Sequence, residues 1–394
     1  MQAVAATAWP KVLIIYGGGV LAATQLGTVP PIAQALQRDL AASLPLIALA
    51  ISVPTLVGAV AGTLVGVWAE RLGHPRTLSI GLGVMAVTAA ASALAADGEV
   101  LLAARACLGV GYLMVVTAAP SLMARLTQPM HQPVALSLWG TFVPIGLALA
   151  AGLAALLVDD LGWRGFLWID AGLLAGACVV VAIATHGAAG EDASAQTRVA
   201  LKELRGPLLL SISFLSFAWV FLAVAALLPS HFVVNQGLSE AQAGWVVAVA
   251  TTGGAAGSLV AGPLMRRGLA PHVVATVGLL LPAAAAVVVF APGIPATLAV
   301  TAAVIFFVAG GLVPAVAFAS VPALVRVAQA IGPANGLLAQ FGSIGSLAGP
   351  PLLTLWVGWT SWTWASLPVA LVSVVGAACA WAAFAATGMP RRST

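Results

Sequence analysis

From Val273 to Val325, and again from Val327 to Pro390, the chain contains no Asp, Glu, Lys, Arg or His. Each stretch far exceeds the roughly 20 apolar residues that span a bilayer core. Each is interrupted by a turn, Ala291-Pro292-Gly293 in the first and Gly358-Trp359-Thr360-Ser361 in the second, and so reads as two helices. The rest of the chain follows suit: 61% of its 394 residues are hydrophobic and 7% are charged. A soluble protein carries about 25% charged residues. A water-soluble enzyme, a nucleic-acid-binding domain and a disordered chain are thereby excluded. What remains is an all-α polytopic membrane protein.

Charged and turn-rich clusters cut the sequence into twelve apolar segments: 11–30, 45–67, 77–96, 100–122, 134–158, 166–186, 207–230, 241–263, 273–291, 297–324, 334–357 and 362–387. With both termini placed in the cytoplasm, the inside receives Lys11, Arg71, Arg76, Arg125, Arg198, Lys202, Arg205, Arg266, Arg267, Arg326, Arg391 and Arg392. The outside receives only Arg38 and Arg164, and Arg105 lies within a helix. This strong positive-inside bias sets the orientation and accounts for the net charge of +4 without nucleic acid. Trp9, Trp68, Trp163, Trp245, Trp359 and Trp362 fall near helix ends, as interfacial anchors do. The one substantial polar linker, around 188–206 with Glu191, Asp192, Arg198, Lys202, Glu203 and Arg205, separates a first bundle (1–187) from a second (207–394), six spans each. Cys107, Cys178 and Cys379 sit in apolar runs and read as small buried hydrophobes.

The loop after span 2 carries Gly66, Glu70, Arg71, Gly73, Pro75 and Arg76; the loop after span 8 carries Gly262, Arg266, Arg267 and Pro271. Gly66 matches Gly262, Arg71 matches Arg267 and Pro75 matches Pro271 at one common offset, the offset expected between two parallel six-helix repeats. The first loop resembles the signature of the major facilitator superfamily, with Glu70 where Asp is commoner. The Arg105-Ala-Cys-Leu-Gly109-Val-Gly111 run in span 4 looks like the family's second motif, and the Gly-Trp163-Arg164 turn also fits. The texture of Pro120–Gly152 is similar to the cyanate and nitroimidazole permease group. The resemblance implies twelve transmembrane helices in two pseudo-repeats, a bacterial inner-membrane location, a monomer, and solute transport by alternating access.

On that frame Glu70 meets the start of span 11 near Pro333 and Asn335, where a carboxylate favours the positive end of a helix. Gly66, Glu70, Arg71, Gly73, Arg76 and Asn335 are the expected gating residues; Arg71 and Arg76 would pair with Glu70, hold lipid phosphates, or serve as topology charges. An Arg inside a span is costly unless paired or facing water, so Arg105 is expected either to anchor an anionic substrate or couple protons, or to snorkel and bond a neighbouring carbonyl. Thr24, Gln25, Tyr112, Trp219 and Gln340 would orient a small ligand, or else pack helix on helix. Asp170, through local pairing with Arg164 or as a coupling acid, and His231, as an outer-surface residue or proton carrier, complete the set.

No phosphate loop, metal-ligand spacing or catalytic triad is present in context, so no cofactor, metal or enzymatic activity is expected. The leading expectation is a secondary transporter of a small organic or inorganic anion, coupled to protons and embedded in membrane lipid. The alternative is a proton-driven exporter of lipophilic compounds, although Gly140–Gly146 lacks the Gly-Pro pair of the antiporter motif.

Overall fold

The computed structural model describes residues 7–187 and 201–385. Part of the polar linker (188–200, with Glu191, Asp192 and Arg198) and the basic pair Arg391 and Arg392 lie outside the described residues. Fourteen α-helices make up the described chain: α1 (Trp9–Gly27), α2 (Val29–Asp39), α3 (Leu44–Leu72), α4 (His74–Ala93), α5 (Gly98–Arg125), α6 (Gln132–Trp139), α7 (Phe142–Thr185), α8 (Arg205–Gln236), α9 (Glu240–Arg266), α10 (Pro271–Val289), α11 (Ala296–Gly310), α12 (Leu312–Leu324), α13 (Ile331–Trp359) and α14 (Ser366–Ala385). Three 3-10 turns join them, and no strand occurs among the described residues. The start signals are local: Asp97 accepts from the backbone of Glu99 and Val100 ahead of α5, and Ser239 with Gln242 forms a capping box on α9. By length and composition nine described segments can cross a membrane, ten if α1 and α2 count as one bent span. The protein is a multi-pass membrane protein.

The apolar segments hold as helices, but three breaks inside them escaped the hydropathy pattern, and a fourth falls in the turn already expected between spans 5 and 6. α1 ends at Gly27 and bends by 43° into α2, whose first turn carries Pro30 and Pro31. Span 5 starts as the short α6 and resumes as α7, because Pro144 leaves the Gly140 carbonyl without its helical donor. Span 10 is likewise two helices, parted at Gly311 ahead of Pro314. α7 itself doubles back at Gly162, whose φ of 67° and ψ of 174° suit glycine alone. Its two arms then run along α1 in opposite directions: Gly146 and Ala150 lie against Ala23 and Gly27, while Val181 and Asp170 lie against Gly18 and Thr24.

Lysines and arginines gather at one end of the bundle (Arg71, Arg76, Arg125, Arg266, Arg267), here called the basic end. One apolar core fills the region where the first and second halves meet, joining Trp139 and Phe142 to Leu210, Phe318 and Leu338. Separate cores serve the second half (Trp219, Phe232, Phe306) and the far end of the first (Ile32, Trp163, Phe166). The outer surface is apolar too, with Leu64, Val87 and Leu156 exposed, as a lipid solvent permits. Trp68, Trp245 and Trp359 are exposed at helix ends as anchors should be. Trp163 is not an anchor: it is buried, and its indole donates to Asp39 Oδ2 at 2.7 Å.

Candidate functional site

Arg105 is buried in α5, and its position follows from two carbonyls that lack helical donors. Pro54 in α3 has no N–H, so the Ala50 carbonyl one turn earlier is unbonded within the helix; Arg105 Nε donates to it at 3.0 Å. The Gln25 carbonyl belongs to the last turn of α1, and Arg105 Nη2 donates to it at 2.7 Å. Nη1 reaches Gln25 Oε1 at 3.3 Å and Thr28 Oγ1 at 3.5 Å. A cation at a helix C-terminus also suits the helix dipole. Gly109, one turn on from Arg105, admits the Pro54 backbone: a Cβ there would stand 2.8 Å from Pro54 Cα. The Arg-x-x-x-Gly spacing therefore matches one proline on the neighbouring helix: Arg105 serves the carbonyl it leaves open and Gly109 makes room for its backbone.

Gln25 connects this guanidinium to Asp170. Its Nε2 donates to Asp170 Oδ2, and Thr24 Oγ1 donates to Oδ1 at 2.8 Å. With nitrogen toward the carboxylate and oxygen toward the guanidinium, the amide relays between opposite charges on different helices. Asp170 does not pair with Arg164, as the sequence had suggested. Arg164 instead lies over the Trp163 ring at 4.1 Å and donates to the Ala93 and Ala95 carbonyls at the end of α4. A turn that read as topology is a clamp.

The second cluster runs along the seam between α3 and α13. Glu70 Oε1 accepts from the backbone N–H of Gly332 at 2.7 Å, in the first turn of α13. The same oxygen lies 3.0 Å from His74 Nε2, and Oε2 pairs with Arg125 at 3.2 Å. The cationic partner of Glu70 is thus Arg125, on a neighbouring helix, and not the exposed Arg71 or Arg76. Gly66 packs on Gly332 and Pro333. Asn335 donates to Ser121 Oγ at 2.8 Å, and Gln340 Oε1 accepts from Thr63 Oγ1 at 2.5 Å and Thr63 N at 3.2 Å. Gln340 is therefore a tie between halves. Gly73, φ 88°, turns the chain from α3 into α4. On the other flank Gly262 does for α9 what Gly66 does for α3: a Cβ there would meet the Pro133 carbonyl of α6 at 2.7 Å.

The remaining residues stay apart from both clusters. Trp219 is in the core of the second half, where Gly345 and Gly349 of α13 press on its backbone. Tyr112 packs at the edge of the central core. His231 is buried, donates from Nε2 to the Val289 carbonyl at 2.9 Å, faces Asn235 through Nδ1, and stacks near Phe290 and Trp362. It is not a surface residue, because α10 and the turn before α14 cover it. His74, Arg125, Thr63 and Ser121 escaped the sequence reading. Only the proximity of His74 and Arg125 to helix ends at the basic side marked them, and a seam partner carries no local signature.

Glu70→Gln keeps an acceptor for Gly332 and removes the charge shared with Arg125. We expect destabilisation of about 1 kcal/mol, measured as an unfolding shift in detergent. An unchanged midpoint would show that the charge adds nothing at the seam.

Two matches to the Major Facilitator Superfamily family model cover residues 15–332 and 210–393. Among curated proteins, an uncharacterized transporter of this type from Mycobacterium tuberculosis, Rv1250, is 29% identical over 143 residues, 35% of this chain and 24% of that protein. The tetracenomycin C resistance and export protein of Streptomyces glaucescens is 27% identical over 225 residues, 54% of this chain and 38% of its own. The matched region is thus well under half the length of each curated relative. The crystal structure of the human organic anion transporter MFSD10 (TETRAN) superposes with a TM-score of 0.77 at 16% identity, covering 94% of this chain and 98% of the other.

Proposed function

The chain belongs to the major facilitator superfamily, whose members are transporters and not enzymes, and from that premise we propose that it is a proton-coupled secondary transporter of lipophilic compounds working by alternating access. Twelve crossings follow if α1 with α2 is one span, α7 counts as two arms and α13 is added. α13 is less apolar than the other spans because it carries Asn335, Gln340 and several glycines; Asn335, Gln340, Gly332 and Gly336 meet the first half, while Gly345 and Gly349 meet α8. The basic end is then cytoplasmic, the site of closure is the α3–α13 seam, and the chain is a bacterial inner-membrane monomer in which two six-helix halves rock.

One observation moves the substrate away from a small anion. Arg105 is 2% exposed and its Nε, Nη1 and Nη2 all face protein acceptors. It is a tie among α1, α3 and α5, with no face turned to a ligand. The groups where the halves meet are aromatic instead: Trp139, Phe142, Phe214 and Phe318. Likeness to an antibiotic exporter supports the same substrate class. The narrower kinship with cyanate and nitroimidazole permeases would instead require a small polar substrate.

Asp170 is the coupling acid in this scheme. Protonation would cancel the charge that Gln25 relays to Arg105 and loosen the α1–α5–α7 junction, which is how a proton would bias the halves. Purified protein in liposomes with an internal pH dye, pulsed with lipophilic compounds, small anions and neutral solutes, tests this. Lipophiles should move the lumen pH and small anions should not. Asp170→Asn is expected to abolish the pH response, a loss of at least about 100-fold for a required proton-transfer group, while substrate exchange across the membrane persists. A response to small anions alone would overturn the substrate class; a normal response in Asp170→Asn would remove that residue from coupling.

A further inference from the structure

Trp139 ends α6 with 0% exposure, and its indole N–H has no hydrogen-bond partner. Buried indole N–H groups ordinarily find one. Its surroundings are carbon. The ring lies on Gly19 of α1, where any Cβ would strike it, and stacks on Phe142 at 4.2 Å with an interplanar angle of 13°. It meets Phe318 of α12 edge-on at 6.3 Å, and Phe318 meets Phe214 of α8 at 5.7 Å. Trp139 and Phe318 belong to opposite halves, so this edge-on contact is one that rocking must break. At the other contact between the halves, the α3–α13 seam, Asn335 Oδ1 is also buried without a partner.

Resting on the lipophile substrate class above, we propose that Trp139 contacts the substrate, and that the ligand it selects is a planar aromatic molecule carrying a hydrogen-bond acceptor on its edge. Parting of the halves at the basic end exposes a ring face and an unspent N–H together. The face takes a flat apolar body by offset stacking. The N–H takes a carbonyl oxygen at about 3 Å. A purely hydrocarbon guest would leave the donor unpaired, and an anion would meet rings on every side. The glycine at position 19 is what lets the indole reach the middle of the bundle at all.

The test compares 9-fluorenone with fluorene, which match in size and planarity and differ by the ketone oxygen. Transport of each is followed in liposomes containing the full chain. Wild-type protein should favour the ketone by about tenfold, the worth of one net hydrogen bond. Trp139→Phe keeps a ring and removes the N–H, so fluorene transport should persist and the ketone preference should vanish. Phe318→Leu weakens the ring contact without touching the donor, so both compounds should slow together and keep their ratio. A wild-type ratio in Trp139→Phe, or loss of the ratio in Phe318→Leu, overturns the assignment. Equal wild-type transport of both compounds also overturns it and leaves the lipophile class standing. Transport of neither, with transport of small anions, sinks both.

Discussion

Arg105→Ala is expected to abolish transport while leaving the protein in the membrane. Hydropathy drives insertion, and removing one charge from α5 only favours it. What is lost is the junction. The Ala50 carbonyl loses its donor in a place water does not reach, at about 1–3 kcal/mol, and the Gln25 carbonyl keeps only the longer bond from Thr28 Oγ1 at 3.2 Å. Asp170 loses the cation that Gln25 relays to it, and breaking a buried charge arrangement from one side costs about 3–5 kcal/mol. These terms share partners and do not simply add. Even the smaller figure is large beside the marginal stability of a folded protein. Arg105→Lys is the sharper variant. A single ammonium cannot serve the three directions occupied by Nε, Nη1 and Nη2, so its loss should approach that of Ala. Thermal unfolding in detergent and transport in liposomes measure the two consequences. Wild-type rates in Arg105→Lys would show that the guanidinium geometry is irrelevant.

Gly62→Leu is expected to arrest the protein with its basic end open. A Cβ at Gly62 would stand 2.8 Å from the Gln340 backbone nitrogen, and Gly66, Gly332 and Gly336 continue the same close approach. A leucine cannot be accommodated by a side-chain shift, because the atoms in its way are backbone. α13 would have to withdraw, breaking Glu70–Gly332, Asn335–Ser121 and Gln340–Thr63 together. Transport should fall at least about 100-fold, since losing three or four net hydrogen bonds at about 1 kcal/mol each shifts the closed population by that factor or more. Insertion should be normal. Ser121→Cys provides the readout: Ser121 is fully buried at the seam and should react with a maleimide in the Gly62→Leu background only. If the thiol stays protected in that background, the seam is not the closing contact.

The two motifs recognised in the sequence proved informative in different ways. Glu70 facing the first turn of α13 was expected from the family resemblance, which brings those two helix ends together; the residues themselves show only an acid at one helix end and Pro333 near the start of another. Its cation was not legible, because Arg125 is near Glu70 in space alone. Arg105 and Asp170 stood out as ions in apolar runs, yet their connection through Gln25 was hidden. An amide in a helix looks the same whether it faces lipid, a cavity or a pair of charges. Gln340 and Trp219 illustrate the point. Both read as cavity residues; one holds the seam and the other fills the core of the second half. Trp139, the residue whose donor is left over, carried no signal beyond being apolar.

Sequence alone settled that the chain lives in a membrane, that its elements are helices, and roughly where they lie. Those are properties of local composition: no helix needs its neighbours to be apolar, and the bilayer rewards each separately. It could not settle the helix breaks at Gly140 and Gly311, the cation chosen by Glu70, or the carbonyls served by Arg105. Those depend on which backbone atoms lack partners after folding and which side chain from another helix arrives to meet them. In a low-dielectric interior such unmet groups are costly, so tertiary packing assigns the few polar residues their partners.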